Sequence, residues 1–109
     1  MSDILHGREL VRMAFRHETT PRVPWVPFAG VHAGSLKGYD AATLLQDGEK
    51  IISSLYEVVR LYRPDGLPVI FDLQIEAEIL GCELEWLEKN PPAVKAHPFA
   101  DHKTLPNKI

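Results

Sequence analysis

Apolar residues recur along this chain at helical spacing in some stretches and run together or alternate in others. In residues 3–16, Ile4, Val11, Ala14 and Phe15, with Leu10 and Met13 beside them, oppose Arg8, Glu9, Arg12 and Arg16 at a 3.6-residue period. Ser2 or Asp3 stands where an N-cap belongs, and Gly7 weakens the pattern slightly. Over residues 47–62, Ile51, Ile52, Leu55, Val58, Val59 and Tyr62 fall at i, i+1, i+4, i+7, i+8 and i+11. This is the clearest helix in the chain, with Asp47 as its cap and Arg63-Pro64-Asp65-Gly66 as its stop, since the residue before a proline leaves the α region. Residues 41–45, after Asp40, predict a separate short helical turn, and 74–80 a short helix closed by Gly81.

Three stretches predict strands. Residues 67–71 form a continuous apolar run that ends at Asp72, the pattern of a strand buried on both faces in a parallel sheet. Residues 82–86 alternate strictly and predict a strand with one wet face. Residues 22–28 are rich in β-formers, but Pro24 and Pro27 supply no ladder N–H, so a short first strand whose end escapes the sheet is expected. Residues 29–34 read as a flexible small-residue loop, and periodicity dissolves after Asn90-Pro91-Pro92. Alternating helices and strands predict an α/β fold with parallel pairing, as one unit over residues 1–109. A closed (β/α)8 barrel takes ~250 residues. A chain of 109 residues holds roughly two strand–helix units, which leaves an open edge and half a core.

Charge and composition narrow the function classes. Twelve basic and 15 acidic side chains give a net charge of -3 without a basic stripe, which argues against a nucleic-acid binder. The single cysteine, Cys82, forms no internal disulfide and no four-cysteine zinc site. The first residues carry no signal-peptide pattern, and the longest apolar run is far too short to span a bilayer, so a soluble cytoplasmic protein is expected.

Asp72 is the leading candidate for chemistry. In parallel α/β folds ligands collect at the carboxyl ends of strands, and a carboxylate there can pair with substrate N–H groups or stabilise a developing cation. Asp72 is also placed to cap the helix that follows, and the two roles are compatible. Phe28, Ala29, Gly30 and His32 follow the other strand and would open on the same face, where His32 offers an acid, base or ligand function. Cys82 with His32 lacks a third group and reads as packing; Glu76 and Glu78 point to different sides of a helical turn; Glu83, Glu85 and Glu88 read as a solvated face. His6, His17, His97 and His102 lack metal-ligand spacing, so no metal site is expected.

Taken together, Thr20-Pro21-Arg22-Val23-Pro24 after the opening helix, the Phe28-Ala29-Gly30 loop, Asp65-Gly66 leading into Val69-Ile70-Phe71-Asp72, and Ala77-Glu78-Ile79-Leu80-Gly81-Cys82-Glu83-Leu84 resemble the uroporphyrinogen decarboxylase superfamily. The resemblance covers nearly the whole chain and about the N-terminal third of a member. It implies a (β/α)8 TIM barrel with an N-terminal helical extension, of which this chain supplies the N-terminal portion. Decarboxylases of the superfamily remove acetate carboxyl groups from a tetrapyrrole without metal or organic cofactor. Their aspartate after the second strand is expected to bind pyrrole N–H groups, and Asp72 matches that position. They also hold substrate carboxylates with arginines in the loop after strand one, whereas Pro27-Phe28-Ala29-Gly30-Val31 carries none, and unpaired carboxylates in a pocket are costly.

That loop is more similar to the corrinoid-dependent methyltransferase arm, related to methylcobalamin:coenzyme M enzymes, in which zinc held by His and Cys turns a substrate thiol into a thiolate. Those zinc ligands lie in the later half of the barrel and nothing here matches them, so no cofactor is expected within this chain. Zinc and a corrinoid protein enter only if the full-length protein belongs to that arm. The resemblance thus implies a tetrapyrrole- or corrinoid-facing pocket, with Asp72 catalytic and Phe28, Ala29, Gly30 and His32 lining it. The alternative is a catalytically inert fragment or split-barrel subunit that acts by self-association or by docking to a complementary barrel fragment.

Overall fold

The structure, a computed structural model, describes residues 6–69 and 72–100. Ser2, Asp3, Ile4, Ile70, Phe71 and His102, all named above, lie outside the described residues. The elements are α1 (Gly7–Phe15), α2 (His32–Ser35), α3 (Ala41–Leu45), α4 (Gly48–Tyr62), α5 (Ile75–Ile79), β1 (Glu83–Glu85) and β2 (Ala93–Ala96).

The helices follow their sequence signals closely. Asp47 accepts hydrogen bonds from the Glu49 and Lys50 N–H groups at the start of α4, and Arg63 ends the helix in the left-handed region at φ 47°. Asp40 accepts from the Thr43 N–H and starts α3 in the same way. Capping of this kind satisfies N–H groups that a helix leaves without partners. At the end of α5 the Gly81 N–H bonds Glu78 O and the Cys82 N–H bonds Ala77 O, with Gly81 at φ 95°. That double closure is the Schellman arrangement, which needs a residue tolerant of positive φ.

Gly7 is more than a weak helix former. A Cβ there would lie 2.5 Å from Asp65 Cα and 2.8 Å from Asp65 O, so the missing side chain is what lets α1 rest on the backbone after α4. Gly66 lies next to it, between Val26 and Val11. Gly7→Ala is expected to destabilise the protein by about 1–3 kcal/mol despite alanine's better helix propensity, because a backbone clash cannot be relieved by a rotamer change. A urea titration of both proteins checks this.

The strands depart from expectation. Neither residues 22–28 nor 67–69 form regular strand. Four prolines explain it: Pro24 and Pro27 on one segment and Pro64 and Pro68 around the other remove the donors a ladder needs. Among the described residues the sheet is instead an antiparallel pair, β1 with β2, with Leu84 opposite Val94 and Glu85 opposite Ala93. This pairing is local to residues 83–96; the parallel strand expected at 67–71 ends outside the described residues. The antiparallel pair also places a strand, β2, where the sequence showed no pattern, because Ala93-Val94-Lys95-Ala96 has a single β-former. The loop predicted at 29–34 is corrected too, since it contains the helical turn α2.

The core is small. Leu10, Ala33, Ala41, Leu44 and Val58 are its buried apolar residues, gathered mainly where α2, α3 and α4 meet. The Ala41 N–H bonds Glu88 O at 2.7 Å and ties α3 to the loop between β1 and β2. The radius of gyration is 18.8 Å, against roughly 13 Å for a compact domain of this length.

Candidate ligand-facing site

Two proline-broken segments come together beside α2 and α4. In place of a ladder, the Asp65 N–H donates to Trp25 O at 2.9 Å, and the Trp25 N–H donates to Asp65 Oδ2 at 2.7 Å. Arg22 grips the same carboxylate with both ends of its guanidinium, Nη1 to Oδ2 and Nη2 to Oδ1, each at 2.7 Å. The Asp65 side chain is only 5% exposed, whereas Arg22 is 55% exposed. The Arg22 hydrogen bonds, then the Trp25 N–H, hold the Asp65 carboxyl at about 2, below its ordinary 3.8. One carboxylate therefore does the joining that the prolines prevent.

Past this junction the chain bends at Gly30, φ 55°, and enters α2 through His32 N–H to Ala29 O and Ala33 N–H to Gly30 O bonds. Phe28, Ala29 and Gly30 form one side of a shallow concave depression of about 20 Å³, and Pro68 and Val69 form another. Ala33, Leu44 and Leu55 are among the apolar residues from α2, α3 and α4 that line it between them. A Cβ on Gly34 would sit 3.2 Å from both Leu44 Cβ and Tyr39 O, so α2 packs closely on α3 at this position.

A neighbouring depression is lined by Trp25, Pro27, Phe28, Ala29, His32, Val58 and Tyr62. His32 Nε2 and Tyr62 Oη are 2.8 Å apart, with the rings tilted at 41°. The candidate residues Phe28, Ala29 and His32 thus share one surface, and Phe28, Ala29 and Gly30 share the adjoining one.

Asp72 lines neither depression. It is half-buried, and its Oδ1 accepts the Gln74 N–H at 2.8 Å, closing the turn before α5. A carboxylate has about four acceptor positions, so this bond leaves capacity for a ligand. Cys82 stands just ahead of β1 with its Sγ 3.7 Å from His97 Nδ1, so its histidine neighbour is His97 rather than His32. Glu76, Glu78, Glu83, Glu85 and Glu88 are exposed. Among the described residues no group of three His, Cys, Asp or Glu is arranged to hold a metal ion, and no helix is long and apolar enough to cross a membrane.

The sequence alone did not single out Asp65 or Tyr62. Arg22 and Asp65 lie 43 positions apart, and His32 and Tyr62 lie 30 apart. The signal that was present is the density of prolines on two β-rich segments, which calls for a side chain to replace backbone partners.

The uroporphyrinogen decarboxylase (URO-D) family model matches residues 6–108. The chain belongs to the uroporphyrinogen decarboxylase family. No curated protein and no solved structure matches it. Membership implies a TIM-barrel fold; the described residues form a small helix-and-strand unit consistent with part of such a barrel, and do not themselves display one.

Proposed function

We propose that this chain supplies part of a tetrapyrrole- or corrinoid-facing pocket in a uroporphyrinogen decarboxylase-family protein, for decarboxylation or corrinoid-linked methyl transfer. The observation that supports this reading is the concave apolar wall where the Phe28-Ala29-Gly30 loop meets Pro68 and Val69. Family membership supports it at the level of the fold and the superfamily. A macrocycle would lie over such a wall rather than inside it, its burial driven by apolar area while a few polar groups set its orientation. Asp72 follows that wall in the chain and supplies the carboxylate that pairs with ligand N–H groups or a developing cation. The apolar character of the 27–31 loop favours the methyltransferase arm, with zinc and a corrinoid protein as its further components.

Asp72→Asn in the complete reading frame is expected to reduce turnover on the order of 10²-fold, the loss typical of removing one preorganised electrostatic partner. Unchanged turnover with an intact fold would retire the role of Asp72.

A second reading is favoured by a specific observation. Phe15, Val23, Leu73 and Ile79 are each at least 70% exposed, in a chain whose buried core is small. In this reading the chain has no catalysis of its own and acts through association, with itself or with a complementary barrel segment. Light scattering that gives a monodisperse 12.3 kDa monomer would count against it.

A further inference from the structure

The depression beside Trp25 has aromatic walls and, apart from the indole N–H, one polar end, made by His32 and Tyr62. The protons at that end can be assigned from the hydrogen bonds around His32. The Ser35 hydroxyl donates to His32 O at 2.7 Å, so its proton is spent. Ser35 Oγ also lies 3.4 Å from His32 Nδ1 and can present only a lone pair to it. With the imidazole proton on Nδ1, facing that lone pair, Nε2 is left as an acceptor. In that tautomer the Tyr62 hydroxyl, 2.8 Å from Nε2, donates to it. Once that proton is committed, Tyr62 Oη keeps only lone pairs for anything seated in the depression.

From this geometry we infer that Tyr62, held by His32 and Ser35, is a hydrogen-bond acceptor that selects flat heteroaromatic ligands carrying a ring N–H. Trp25 and Phe28 offer aromatic surface for such a ring to pack against, at 49% and 68% exposed respectively. A site that offers an acceptor to a bound ring penalises a ligand whose N–H has been replaced by N–CH3, because the acceptor is then desolvated without a partner. The inference deepens the proposed function and rests on it only for the ligand's larger identity, since a pyrrole is itself such a ring.

Indole and 1-methylindole serve as probes, titrated into the full chain and followed by amide chemical shifts of Ala29, His32 and Tyr62. Indole is expected to bind at least fivefold more tightly than 1-methylindole, and Tyr62→Phe is expected to remove the difference, because indole loses its acceptor and the penalty on 1-methylindole is relieved. Long-range ¹⁵N imidazole spectra of the free protein are expected to show His32 protonated at Nδ1. Equal affinity for the two probes, discrimination that survives Tyr62→Phe, absence of binding at these residues, or an Nε2-protonated His32 would each overturn the inference. Failure of the macrocycle reading alone would leave the indole discrimination intact, so the two failures are distinguishable.

Discussion

Replacing Asp65 with alanine is expected to lower the melting temperature by roughly 5 °C or more, a larger effect than any exposed charge substitution in the chain should have. The carboxylate is almost fully shielded by protein and accepts hydrogen bonds from both arms of Arg22 and from the Trp25 N–H. Truncation takes the partner from the Trp25 amide and from both Nη groups of Arg22, and the proline-rich segments have no ladder to fall back on. The effect should also depend on pH. Asp65 has a folded value of about 2 against an ordinary 3.8, so its contribution is fully present above the unfolded value and lost as pH falls through about 2. The gap in melting temperature between wild type and Asp65→Asn is therefore expected to be constant above about pH 5 and to narrow between about pH 4 and pH 2. Asp40 is also held low by the Thr43 N–H, and Asp47 by its Lys50 hydrogen bond, but both remain in the variant and cancel in the comparison. A gap independent of pH would mean that the charge of Asp65 contributes nothing.

Leu10→Ala is the second large effect. Leu10 is 1% exposed and is the buried residue of α1. Helix α1 seats against the Asp65-Gly66 turn and Val26 through Gly7 and Val11, so this face holds the helix to irregular chain rather than to another helix. Losing three carbons there is expected to cost about 2–5 kcal/mol, toward the upper end if the surrounding turn cannot collapse into the space. Denaturant unfolding reads this as a lower midpoint at unchanged slope. A fall in slope as well would show that α1 detaches before the rest unfolds.

These two residues show what was legible in the sequence and what was not. The periodic apolar positions and capping aspartates of α3 and α4, and the glycine after α5, are local signals, and the structure follows them. The same is true of β1, whose alternation is visible over three residues. Its partner β2 was not visible, because Ala93 and Ala96 carry no strand preference and pairing across the loop supplies the stability. The parallel sheet was read from element order and from the unbroken apolar run at 67–71; among the described residues, the proline-bearing 22–28 and 67–69 form no regular strand. For the site, Phe28, Ala29 and Gly30 could be placed by the loop they form. The ties through Asp65 and Tyr62 span 40 and 30 positions and leave no local trace.

The most direct test of the account is a visible-absorbance titration of the chain with coproporphyrin III and, separately, with hydroxocobalamin, in wild type and in Ala29→Trp, which fills the depression beside Pro68 and Val69. A wall that faces a macrocycle predicts a saturable spectral shift with at least one of them in wild type and its loss in Ala29→Trp. No saturable shift with either ligand, or a shift unaffected by filling the depression, would contradict it.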